Sequence, residues 1–231
     1  MQYPLQSNFW MRIEMNLPAV AVRTFNTFKS DSGFRKLLKQ MSRRLLKLRD
    51  PLKRASYIHS KIDEEVEKLF EDKAVKDLVS CKQGCSACCH TQVAVTEDEA
   101  LLLVNSIDNG LKIDWVKLFV QAKAGNSSKD FFDLPYKMRS CIFQDKEGSC
   151  TVYENRPSVC RANFVVSNPE LCVVDKGEKS SVKLLNTFGA DSWIYSFFTS
   201  SRRNGALPYM VKKIVDERKL RPKSKNFTPE L

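Results

Sequence analysis

Residues 81–90 read Cys-Lys-Gln-Gly-Cys-Ser-Ala-Cys-Cys-His, and no other stretch restricts the chain so tightly. Four of the eight cysteines fall here, as Cys81, Cys85, Cys88 and Cys89; Cys141, Cys150, Cys160 and Cys172 follow. A thiolate is a soft, anionic ligand, and a C-x2-C pair such as Cys85/Cys88 lets two sulfurs converge on one ion across a tight turn. Gly84 suits a backbone that takes positive φ to bring those sulfurs together. Two other readings compete. A disulfide framework is disfavoured because adjacent cysteines such as Cys88 and Cys89 are too close in the chain to bridge each other. A set of inert buried cysteines does not explain the clustering. Metal binding is the reading the spacing favours.

A second motif lies downstream. It runs Cys141-Ile-Phe, a short gap, then Gly148-Ser-Cys150-Thr-Val-Tyr153-Glu-Asn-Arg156-Pro157-Ser-Val-Cys160-Arg161. Together, and in this order, the two motifs resemble the CxxCxxCC cysteine-cluster family, a zinc- or iron-chelating domain, over residues 80–165. The resemblance implies a metal centre ligated by Cys81, Cys85, Cys88, Cys89, Cys141, Cys150 and Cys160. The best-known relatives of that family are flagellin lysine methylases, which are larger proteins, so a protein lysine N-methyltransferase-like enzyme using the cluster is one implied activity. Nothing else in the chain points to it: there is no glycine-rich nucleoside loop and there are only eight glycines.

The donor set leaves the metal open. Structural zinc wants four closed, tetrahedral ligands, and seven or eight cysteines are enough for two such sites, or for one iron–sulfur cluster with spare thiols. The resemblance to the methylases places a [4Fe-4S] cluster ahead of zinc. Adjacent side chains point apart, so one of Cys88 and Cys89 is expected to bind while the other packs. His90 either completes a mixed site or donates from just outside it. Arg156 and Arg161 either donate to a sulfide or thiolate or form ordinary salt bridges. Cys172 lies outside the motif, and His59, on an earlier helix, is expected to be incidental.

Around this centre the pattern is helical. Phe34, Leu37, Leu38, Met41, Leu45 and Leu48 recur at steps of three and four, opposite Arg35, Lys36, Lys39, Arg43, Arg44, Lys47 and Arg49. Asp50-Pro51 restarts a helix with the stripe Leu52, Ala55, Ile58, Ile62, Val66 and Leu69 and an acidic far half, which offers a partner to the basic helix before it. Thr91–Val95 suits a strand and Thr96–Glu99 is a capping box. Further helices are expected from Asp114 to Lys123, from Asp191 to Ser200 and after Pro208. Gly125–Asp130 reads as a loop and Cys141–Tyr153 as a small hairpin.

The fold expected is therefore mainly α with a small β-hairpin and an irregular cysteine-rich metal-binding core. Its parts are an N-terminal arm (1–33), a helical lead-in (34–80), the cysteine-cluster domain (81–175), helices packing on it (176–220) and a disordered basic tail (221–231). The arm shows no sustained period, and Met11 and Met15 offer alternative starts. Pro4, Asn8, Arg12, Glu14 and Asn16 interrupt any secretory signal, and no run is apolar enough to span a membrane, so a cytoplasmic location is expected. A net charge of +11 favours nucleic acid, an anionic membrane surface or an acidic protein as partner, against the plainer reading of a solvated surface.

Overall fold

Three helices open the described chain: α1 (Ala19–Phe28), α2 (Ser32–Lys47) and α3 (Pro51–Phe70). The computed structural model describes residues 17–82, 84–174 and 181–220; residues 1–16 of the N-terminal arm and the basic tail lie outside the described residues. Asp31 caps α2 by accepting from the Phe34 N–H at 2.6 Å. Asp50 caps α3 through the N–H groups of Leu52 and Lys53, with Pro51 in the first turn, where its missing N–H costs nothing. Helix α4 (Lys73–Leu78) then leads into the cysteines.

Past the cysteine run, β1 (Ala94–Thr96) enters α5 (Glu97–Asp108) through the capping box: the Thr96 side chain and that of Glu99 satisfy each other's backbone N–H. Short helices follow: α6 (Trp115–Ala122), α7 (Ser128–Phe132), α8 (Tyr136–Arg139) and α9 (Ser158–Arg161). The chain closes with α10 (Phe188–Ser200), β2 (Asn204–Ala206) and α11 (Leu207–Leu220). Strands β1 and β2 pair antiparallel with Val95 opposite Gly205. The fold is mainly helical with one small sheet, as the pattern predicts.

Two apolar cores hold these elements. In the first, α10 packs against α1, α2 and α3 and buries Trp193, Ile194, Phe197 and Phe198 among Phe34, Leu38, Leu45, Ile58 and Ile62. Each such side chain contributes about 1.5–3 kcal/mol of transfer free energy. The second core joins α5, α6 and α11 through Leu103, Val104, Leu118, Met210 and Val211, and extends under the second cysteine motif through Ile142, Phe143 and Val152.

Three local differences from the sequence reading have physical causes. Residues 19–28 form a helix where an irregular arm is expected. Its core face is built from Val20, Ala21 and Thr24, of which only Val20 carries a strong hydrophobic signal, and is fixed by Thr24 Oγ1 donating to buried Asp191 at 2.7 Å and by Phe25 stacked on Tyr195. The segment Gly125–Asp130 is not all loop, since Ser127 caps α7. The sheet joins segments about 110 residues apart, and the expected hairpin at 141–153 reduces to one bridge, Gln144 with Cys150, and its turn. Among the described residues no helix is long and apolar enough to cross a membrane.

Candidate metal centre

Four separate segments deliver the cysteines to one neighbourhood. The first runs from Cys81 to a 3-10 turn at Ala87–His90 that carries Cys88 and Cys89. Gly84 makes the reversal before Cys85 at φ +85°, the positive φ its position suggests. Backbone bonds dock the other segments on this one. Ser80 N–H donates to the Val165 carbonyl, the Val165 N–H lies 3.2 Å from Cys81 Sγ, and the Cys141 N–H donates to the Cys89 carbonyl at 2.8 Å. The Gln144–Cys150 bridge and the Thr151 N–H to Phe143 carbonyl bond fold Cys150 back beside Cys141. At the tip of that turn Gly148 lies over the Ser86 side chain.

Cys160 arrives on α9, whose start is set from the core. The Ser158 N–H donates 2.6 Å to Glu99 Oε1. Glu99 also accepts from the Thr96 N–H at 2.9 Å and lies 3.3 Å from His59 Nε2, with both side chains buried. Burial opposes the Glu99 charge, yet His59 and the Thr96 and Ser158 N–H groups outweigh it and hold the carboxyl below its ordinary range. His59, expected to be incidental, is thus half of a buried pair that locates Cys160. Neither residue belongs to a motif; the only sequence signal was the capping box that contains Glu99.

All eight cysteines are free, with Cys85 and Cys88 exposed. Burial pushes the Cys160 thiol well up, and nearby Cys141, Cys88 and Cys150 add to it. Burial and the neighbouring Cys150 push Cys141 up to about 11. Burial also raises Cys81 and Cys150. Cys88 runs the other way: a hydrogen bond from Cys89, helped by the Asn163 side chain and the Arg156 charge, favours its thiolate. Cys89, as the donor, is held up.

Cys172 joins the group from outside the motif. Its thiol is raised by burial and then by Cys85, Cys81 and Cys88, so it lies at their end of the neighbourhood. The buried Arg139 holds the segment there by donating from Nη1 to the Val174 carbonyl at 2.9 Å, while its guanidinium lies over the rings of Tyr136 and Phe132. Its proximity rests on this tertiary clamp, which no local spacing reveals.

The polar neighbours divide. Arg161 donates to Asp63 and to the Glu154 and Arg156 carbonyls, a structural engagement that ties α9 to α3. Arg156 lies 4.3 Å over the Tyr153 ring, its charge favours the thiolates of Cys88 and Cys150, and its buried Nε has no hydrogen-bond partner among the described residues. The His90 ring stacks on Tyr136 at 4.3 Å with Nδ1 3.3 Å from the Ser86 carbonyl. Burial, with Arg139 and Lys117 nearby, pulls its pKa below the ordinary imidazole range.

The donor chemistry fits a soft metal centre: eight free thiols gathered round one turn, with a guanidinium whose buried N–H lacks an acceptor among the described residues. As the side chains stand, no group of three or more His, Cys, Asp or Glu among the described residues is closed round a point that could hold an ion. Among known proteins, residues 80–181, a little under half of the 231-residue chain, match the CxxCxxCC family model, described as "Putative zinc- or iron-chelating domain". The matched segment contains all eight cysteines, Cys172 included. No curated protein and no solved structure matches the chain.

Proposed function

We propose that this CxxCxxCC segment is a metal-binding domain whose centre is ligated by cysteine, with Cys81, Cys85, Cys88, Cys89, Cys141, Cys150 and Cys160 as the ligand pool and Cys172 beside them. The observation that carries the reading is the convergence of eight free thiols from four chain segments on the turn at Ala87–His90. A [4Fe-4S] cluster is the first assignment and zinc the second. Eight thiols exceed the four that a closed zinc site uses, and Arg156 offers a buried donor beside Cys88 and Cys150, where a cluster's sulfides carry negative charge.

In this reading Glu99 and the Cys89 carbonyl fix the Cys160 and Cys141 segments, Arg139 fixes that of Cys172, and Arg156 neutralises charge. A bound cluster would supply electron transfer or Lewis acidity; bound zinc would supply cross-linking.

Exposed Cys85 and Cys88 give the cleanest test. Changing an exposed side chain such as Cys85 costs no more than about 0.5 kcal/mol by itself, and Cys88→Ser adds the loss of the Cys89 and Asn163 contacts, about 0.5–1.5 kcal/mol. Cys85→Ser and Cys88→Ser are therefore expected to fold while losing most of the bound metal, read by elemental analysis of the purified chain beside its circular dichroism. Full metal retention in both variants overturns the ligand assignment.

A further inference from the structure

The strongest charge asymmetry of the chain lies away from the cysteines, on α2. Residues 29–54 hold ten Lys and Arg against two Asp, a surplus of eight positive charges, which is most of the chain's +11. Within α2 itself there is no acidic residue.

At 3.6 residues per turn, Phe34, Leu38, Met41 and Leu45 share one face, and all four are buried. Lys36, Lys39, Arg43 and Lys47 fall on the opposite face and are all exposed. The stripe they form is about 16 Å long at 1.5 Å per residue. Arg44 is exposed on its flank.

Nothing among the described residues neutralises this stripe. The two flanking carboxylates, Asp31 and Asp50, accept from backbone N–H groups at the starts of α2 and α3. The acidic far half of α3, which the sequence offered as a partner, pairs elsewhere: Glu64 with Lys61, Glu65 with Lys68 and Asp63 with Arg161. No ion pair among the described residues involves Lys36, Lys39, Arg43, Arg44 or Lys47.

We infer that the exposed face of α2 is a binding surface for the phosphate backbone of double-stranded nucleic acid. Charge complementarity selects a polyanion, and three features narrow the class. The apolar face of α2 is committed to the core against α10, so the helix has no stripe to insert into a lipid surface. No aromatic side chain lies on the stripe, so the stacking platform that single strands use is absent from it. Leu46 is the one large apolar side chain exposed beside it, too little to anchor a folded protein partner. What remains is a row of point charges, which suits sequence-independent contact with phosphates.

The test is fluorescence anisotropy of the full chain with a labelled DNA duplex of arbitrary sequence, repeated over a salt series. Four neutralised phosphates predict a slope near −3.6 in log K against log salt, or about 100-fold weaker binding between roughly 50 and 200 mM salt. Replacing Lys36, Lys39, Arg43 and Lys47 together by Gln, a residue of similar helix propensity, should abolish most of that binding and flatten the slope. Circular dichroism and metal content should stay unchanged, because the stripe shares no residue with the thiol site. Should the fourfold variant misfold, Lys36→Gln and Arg43→Gln alone should each reduce the slope by about one. No duplex binding at low salt, equal binding by the fourfold variant, or tighter binding to phosphatidylserine vesicles or to the single strand would each overturn the inference.

Discussion

Replacing Cys160 by serine is expected to abolish metal loading and to lower the melting temperature of the loaded chain more than any exposed cysteine change. Cys160 is half-buried beside Cys141, Cys88 and Cys150 on a helix held from the core by Glu99. Serine removes a thiolate ligand and places a hydroxyl in a partly buried position, at a cost of about 1 kcal/mol if it finds no partner. The lost metal adds to this, since binding free energy in a metal-coupled fold is folding free energy. The first helical core, of α10 against α1, α2 and α3, is built mainly from residues remote from the cysteines, so the chain should stay folded. A total loss of about 3 kcal/mol corresponds to a fall of roughly 6–12 °C for a chain this size. The check is differential scanning fluorimetry with and without chelator: the wild type should respond and Cys160→Ser should not. A variant that keeps its metal and its chelator response contradicts the assignment.

The same thiols set a pH dependence. Burial holds Cys160 and Cys141 above the ordinary thiol range, so they are protonated at neutral pH in the metal-free chain and must release their protons on loading. Apparent metal affinity should therefore rise with pH, by about tenfold per unit for each proton released.

The second large effect belongs to Glu99. Glu99→Ala is expected to cost about 3–5 kcal/mol, because it leaves the Thr96 and Ser158 N–H groups and buried His59 without their acceptor. It should also weaken metal binding by about 10–100-fold, through loss of the contact that positions α9 and Cys160. Glu99→Gln keeps one acceptor oxygen and should cost less. The sign of the pH effect follows from the lowered carboxyl. Its contribution is present above the unfolded-state pKa and is lost as pH falls through the folded value. Burial raises Asp98 and Asp191 instead, so these two act in the opposite sense, gaining as pH falls. The quantity to measure is thus the melting-temperature difference between wild type and Glu99→Gln, which should shrink on acidification from neutral to about pH 3. A constant difference would remove the charge of Glu99 from the account.

Much of this was legible locally. The stripes of α2 and α3, the caps at Asp31 and Asp50 and the capping box at Thr96 are short-range patterns, and they fold as they read. So does the turn at Gly84. What escaped depends on distant partners. Helix α1 has a small, half-polar core face that makes sense only against Asp191 and Tyr195 on α10. Strand β2 contains Gly205, which carries no pattern, and finds β1 from the far end of the chain. Cys172 is held by Arg139 through the Val174 carbonyl, and His59 meets Glu99 across forty residues. The motifs thus gave the thiols, while the residues that position them came from tertiary packing.

The measurement closest to the central claim is metal and acid-labile sulfide analysis, with a visible spectrum and a thiol count, on the full chain purified without oxygen. A cysteine-ligated centre predicts stoichiometric metal and fewer reactive thiols than the eight present. The cluster assignment further predicts iron with matching sulfide and a sulfur-to-iron band, whereas zinc without sulfide would keep the centre and replace the cluster. A chain with neither metal and all eight thiols reactive would contradict the account.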